Sequence, residues 1–155
     1  MAATTSPLQM NRSAQDKLEP ALYYTLKANT KIPAGTLAMR IQGNDYVEPY
    51  VGNTDDAILM GVAEETYDNT GNGSALVYDN DKPMVFGRGV FRQFKSDGSI
   101  TAADNVGTLV ALKDNQTIGA TVAAHDATVE LLAIDLRKRD GSTVYVVRVM
   151  QSGPT

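Results

Sequence analysis

The sequence predicts an all-β fold: a compact barrel or sandwich with at most one or two short helices and an internal repeat. Three observations carry that expectation. Apolar and β-branched runs are short and are cut by Gly, Asn, Asp and Pro along most of the 155 residues. The last run, Thr143-Val144-Tyr145-Val146-Val147-Arg148-Val149, is rich in β-branched side chains that suit a pleated surface. Gly35-Thr36-Leu37 recurs as Gly107-Thr108-Leu109, an offset of 107 − 35 = 72 residues. A second match, Ile58-Leu59-Met60-Gly61-Val62-Ala63 with Glu130-Leu131-Leu132-Ala133-Ile134-Asp135, shares that offset because 131 − 59 = 72. Two matches in one register predict two superposable copies of a small β unit.

Residues 1–20 are polar and irregular, with Thr4-Thr5-Ser6-Pro7, Asn11-Arg12-Ser13 and Leu18-Glu19-Pro20 and no sustained period. They predict an extended arm, either a terminus without a role or a segment that orders on a partner. A single β-rich domain is expected over 21–155. Ala21 to Leu26 has the aromatic and Thr content of a strand. Lys31-Ile32-Pro33-Ala34-Gly35 reads as a turn into a strand from Thr36 to Ile41, and Gly43-Asn44 as a hairpin turn. Tyr46 to Tyr50 follows; Pro49 donates nothing to a ladder, so this strand lies at an edge or ends there.

Asn53 or Thr54 is suited to cap one helical turn through Ala57. Ile58 to Val62 is a buried strand by its unbroken apolar run. Val85 to Phe94 reads as one strand whose two glycines, Gly87 and Gly89, signal a bulge or a close backbone approach. The second copy is expected from Ala102, with strands at Gly107 to Leu112, Gln116 to Gly119 and Val129 to Ile134. Asp140-Gly141 is a hairpin signal before the final strand.

Composition limits the function. There are no cysteines, which excludes disulfides, thiolate metal sites and thiol catalysis. Residues 1–20 hold no apolar run of the kind a secretory signal needs, and no run approaches the roughly 20 residues of a spanning helix. The net charge of −4 argues against a nucleic-acid binder, which needs a basic face. From Ile41 to Asp81 there is no Lys or Arg but there are nine carboxylates, whereas Arg88, Arg92, Lys95 and the run Arg137-Lys138-Arg139 follow. Such a split is either solvated loops or charge complementarity between neighbouring subunits.

No motif commits the chain to catalysis. His125 is the one histidine, and no Gly-x-Ser-x-Gly elbow accompanies it. Asp68-Asn69-Thr70-Gly71-Asn72-Gly73 matches the first half of a calcium loop but has Thr at the third position and Asp79 at the twelfth, so it reads as a glycine-rich loop. Gly87-Arg88-Gly89-Val90-Phe91-Arg92 lacks the last glycine and the βαβ setting of a dinucleotide site. No catalytic residue, cofactor or metal is assigned.

Lys31-Ile32-Pro33-Ala34-Gly35-Thr36-Leu37, Leu59-Met60-Gly61-Val62-Ala63, Val85-Phe86-Gly87-Arg88-Gly89-Val90-Phe91 and Asn105-Val106-Gly107-Thr108-Leu109-Val110 together resemble the head-decoration proteins of tailed bacteriophages, broadly the lambda type. The resemblance spans roughly residues 20–150. It implies a β-tulip-like body, homo-trimers on the outer surface of an expanded capsid, synthesis in the host cytoplasm, and an arm that joins the major capsid protein. No enzyme activity, nucleic-acid partner or membrane partner is implied. Pro7, Leu8, Met10, Leu18 and Pro20 are the expected arm contacts, and Arg137, Lys138 and Arg139 the expected subunit contacts. Two other classes fit a β body: another phage virion module (tail tube or spike base) and a carbohydrate-binding β sandwich, the latter weakened by the absence of Trp.

Overall fold

The computed structural model describes residues 20–21, 24–78, 83–139 and 142–150, without the side chains of 20–21 and 136–142. Over those residues the chain is all-β. Its strands are β1 (Pro20–Ala21), β2 (Thr25–Leu26), β3 (Lys31–Ile32), β4 (Leu37–Ile41), β5 (Tyr46–Pro49), β6 (Ala57–Ala63), β7 (Tyr67–Asp68), β8 (Leu76–Val77), β9 (Met84–Gly87) and β10 (Gly89–Ser96). One short helix, α1 (Ala102–Asn105), precedes β11 (Leu109–Leu112), β12 (Thr117–Gly119), β13 (Thr128–Arg139) and β14 (Ser142–Val149). The Thr101 hydroxyl caps α1 by accepting from the Asp104 N–H.

A curled, open half-barrel sheet, called barrel 1, and a closed barrel, called barrel 2, share one plan that accounts for this order. Strands β10, β12, β11, β13 and β14 close on themselves. The other large sheet runs β1-β9-β6-β4-β5-β2-β8. Its β1 and β2 follow one another in sequence; β1 pairs with β9 at one end of the sheet, and β2 pairs with β5 toward the other, where β8 lies beyond it. In the second barrel β10 alone pairs with both β14 and β12. Both copies even share the one parallel pairing, β2 with β5 and β10 with β12.

The hydrogen bonds repeat with the pairing. Thr36 donates to the Pro33 carbonyl from its N–H (3.2 Å) and its hydroxyl (2.7 Å), and Thr108 does the same to Asn105 (3.1 and 2.7 Å). Both partners move by 72 residues, since 108 − 36 and 105 − 33 agree. Lys27 N–H donates to Val47 O, and Asp97 N–H to Ile118 O, offsets of 70 and 71. Gly35-Thr36-Leu37 and Gly107-Thr108-Leu109 thus enter equivalent strands, as the sequence predicts.

The second match needs correction. Val62 lies opposite Leu37 and Glu130 opposite Leu109, so β6 and β13 correspond at 130 − 62 = 68, not 72. From Leu109 to its partner Glu130 the chain runs 130 − 109 = 21 residues, against 62 − 37 = 25 from Leu37 to Val62, and the ladder, rather than apolar likeness, sets the register. Val85 to Phe94 is also two strands. They part at Arg88, where Gly89 takes φ +121°, and β10 rather than Ala102 opens the second copy. Asn53 to Ala57 forms a turn, not a helical one; Asn53 (φ 36°) and Asp56 (φ 58°) both leave the right-handed region. β5 does end at Pro49, but between β4 and β2 rather than at an edge. Asp140 and Gly141 lie outside the described residues, with β13 and β14 pairing on either side from Arg139 and Ser142.

Two clusters fill the barrels. Leu26, Ala38, Val47, Met60, Ala63, Tyr67, Met84 and Phe86 pack inside barrel 1. Phe91, Phe94, Val110, Leu112, Ile118, Val129, Leu131 and Val147 belong to barrel 2, and they are continuous with Leu37, Met39, Leu59, Val62 and Tyr50 from barrel 1. Side chains alternate across a strand, so β4 sends Ala38 inward and Leu37 and Met39 toward barrel 2. The β4–β6 pair of barrel 1 is largely buried on both faces.

Candidate interaction surfaces

Of the expected arm contacts, Pro7, Leu8, Met10 and Leu18 lie outside the described residues. Pro20 is placed by its backbone alone, opposite Val85 in β1–β9. Arg137, Lys138 and Arg139 form the far end of β13, beside the hairpin to β14; their side chains are outside the description. The structure therefore brings no expected contact residues together into one described site. It does place the backbone of the basic run at the end of β13 and that of Pro20 in β1, beside β9.

What the described residues do assemble is the seam between the barrels, which sequence reasoning missed. Tyr50 is 1% exposed, and its hydroxyl donates to Leu112 O (3.2 Å) while accepting from Ala127 N–H (2.9 Å). Burial pushes its phenol above the ordinary value, so it stays a donor at neutral pH. Leu37 N–H donates to Asn115 O at 3.0 Å, and the Gln93 amide donates to Gly35 O at 3.1 Å. The backbones come so close at Gly52 (φ +75°) that a Cβ there would run into the Lys113 carbonyl oxygen.

Asp126 latches the seam. Its carboxylate accepts from Asn53 N–H, Ala123 N–H and the Lys113 ammonium, each at 2.8 Å. Burial alone would raise its pKa, but the Lys113 bond and the two N–H donors outweigh it and hold the carboxyl below the ordinary value. The neighbouring His125 N–H donates to Asn53 Oδ1, and its ring nitrogen stands 3.6 Å from Asp55. The His125-Asp126 pair, weighed in the sequence for catalysis, thus contributes seam contacts. Asp126 beside the lone histidine was the available signal; its partners Asn53 and Lys113 were not visible without the fold.

Elsewhere the acidic stretch is partly answered within the chain, Glu48 by Lys27 at 3.3 Å. The 68–73 loop is tied by its own side chains. The Asn69 amide donates to Lys27 O and Ser74 O, Asn72 donates to Asn69, and Asp68 accepts from Thr70 N–H. Among the described residues no group of three or more His, Asp or Glu is placed to hold a metal. Exposed apolar residues include Leu76 and Val77 in β8 and, in barrel 2, Val106, Leu109 and Val122.

No protein-family model, no curated protein and no solved structure matches the chain.

Proposed function

We propose that the chain is a structural virion protein of a tailed bacteriophage that decorates and stabilises the expanded capsid. It binds the outer surface as trimers, holding the major capsid protein through the arm at 1–20 and through its β body. The observation that supports this reading best is the seam. Buried polar groups, which cost free energy unless they are hydrogen-bonded, are spent on locking two barrels together. Tyr50 and Asp126 hold a shape rather than a reacting atom, and a cementing protein needs a stiff body. The arm supplies the other half. It joins the body at β1, and an extended segment can add its backbone bonds to a strand edge on a shell. Ordering it costs about 1–2 kcal/mol per residue in backbone entropy, so Leu8, Met10 and Leu18 need apolar pockets on the capsid. Many copies on one shell then act together.

The test is electron microscopy of the protein mixed with expanded and unexpanded heads of the phage that encodes it. Regular decoration of expanded heads alone is expected. A variant lacking residues 2–18 is expected to fold and to lose most of that decoration; undiminished decoration would leave attachment to the body alone. Reversing charge at Arg137, Lys138 and Arg139 is expected to weaken trimers in a salt-dependent way, read by light scattering. No decoration of any head would overturn the reading.

A further inference from the structure

The contact between the barrels is head to tail. Barrel 1 contributes Gly35, Leu37, Tyr50 and Asn53. Barrel 2 contributes Leu112, Asn115 and Asp126, near its β11–β12 hairpin. The repeat offsets show that these two sets are not equivalent. Leu37 corresponds to Leu109 (37 + 72) and Tyr50 to Thr121 (50 + 71), while Asn115 corresponds to Asn44 (115 − 71). A twofold contact would pair like with like; this one pairs one end of a barrel with the other end of its copy. A heterologous contact always leaves one unused half at each end of the assembly.

Both unused halves are on the surface. On barrel 2 Leu109 holds the position that matches the buried Leu37 of barrel 1, and Val106 and Val122, near it in the repeat register, are exposed as well, three of the seven large apolar residues exposed among the described residues. Leu109 is 65% exposed, where its counterpart Leu37 is 0% exposed. The β11–β12 ladder ends with Ala111 opposite Gly119, and Thr121 follows Gly119 by two residues, as Leu109 precedes Ala111 by two. On barrel 1 the β4–β5 hairpin corresponds to the receiving hairpin of barrel 2. Gln42, Gly43 and Asp45 are exposed there, and a Cβ on Gly43 would meet nothing within 4 Å.

We propose that the protein self-associates head to tail, the Val106–Leu109–Val122 end of one copy seating on the Ile41–Asp45 hairpin of the next. The partner is a second copy of this chain, because the internal seam already shows what that end of a barrel covers. Thr121 stands where the seam has its Tyr50 anchor, so the contact between chains is weaker than the seam and reversible. A repeated heterologous contact closes into a ring or runs on as a filament. Three copies closing would set six barrels in one ring. This inference rests on the internal seam alone and holds whether or not the protein binds a capsid.

The absence of cysteine makes the test direct. In the seam Leu37 N–H lies 3.0 Å from Asn115 O; the matching pair across two copies is 109 and 44. Leu109→Cys and Asn44→Cys proteins are mixed under copper-phenanthroline and run on a non-reducing gel. A disulfide dimer is expected from the mixture and not from either variant alone, since bridged Cα atoms must come within roughly 7 Å. Sedimentation of the wild-type protein is expected to show concentration-dependent growth that Leu109→Asp abolishes while its circular dichroism is unchanged. A wild-type protein that stays monomeric at millimolar concentration would overturn the proposal. So would cross-linking of Leu109→Cys to itself as readily as to Asn44→Cys, or association that Leu109→Asp leaves intact.

Discussion

Barrel 1 and barrel 2 share strand order, pairing and turn bonds, yet they spend their outer faces differently. Leu37, Met39, Leu59 and Val62 on the outside of barrel 1 are buried against barrel 2. Their counterparts are Leu109, Ala111, Thr128 and Glu130, of which only Ala111 is buried. The closing strand of barrel 2, β10, corresponds in barrel 1 to two separate short strands, β1 and β2. Between β6 and β9 barrel 1 carries β7 and β8, where barrel 2 has only the turn from β13 to β14. One plan was kept where backbone bonds define the barrel, and the chemistry changed where one copy covers the other.

The sharpest way to break that comparison is at Tyr50. Tyr50→Ala removes a buried ring and orphans the Ala127 N–H, and is expected to cost about 3–5 kcal/mol in urea unfolding. Thr121→Ala, at the matching exposed position of barrel 2, is expected to stay within about 0.5 kcal/mol. Equal costs would deny that the seam distinguishes the copies.

Gly52 and Gly71 separate close approach from backbone conformation. Both take positive φ, +75° and +79°, but only Gly52 faces a neighbouring carbonyl oxygen; a Cβ on Gly71 meets nothing within 4 Å. Gly71→Ala is expected to cost about 1–2 kcal/mol for the left-handed conformation alone. Gly52→Ala is expected to exceed it, because Lys113 must also move. A thermal melt of the two variants side by side checks the order.

Asp126 adds a pH signature. Its folded pKa lies below the ordinary value, so it stabilises the protein fully above the ordinary carboxylate range. That contribution is lost as pH falls through the folded pKa. Asp126→Asn is expected to cost about 1–3 kcal/mol at neutral pH, since an amide cannot serve all three donors. The gap between variant and wild type is expected to narrow as the wild-type carboxylate protonates, followed by urea midpoints across an acid pH series.

The strands, the short helical content and the repeat at Gly35 and Gly107 were legible in the sequence because turn residues and β-branched runs are local signals. The offset of the second match was not. Register depends on how many residues lie in the connections, and the apolar run of β6 resembles several stretches of β13 equally well. Arg88 misled for a similar reason: alternation on both sides of it reads as one strand, and only the positive φ at Gly89 divides them. The seam was illegible because Tyr50 bonds to Leu112 and Ala127, 62 and 77 residues away, and Asp126 to Asn53, 73 residues away, and nothing in their neighbours announces those long-range bonds. The expected arm and basic-run contacts rest on resemblance and charge, which name residues without placing them.

The measurement closest to the central claim, that two barrels are locked into one stiff body, is differential scanning calorimetry of dilute protein. The shared cluster from Leu37 to Val147 predicts one transition whose calorimetric and van't Hoff enthalpies agree. Two separable transitions, one per barrel, would contradict it.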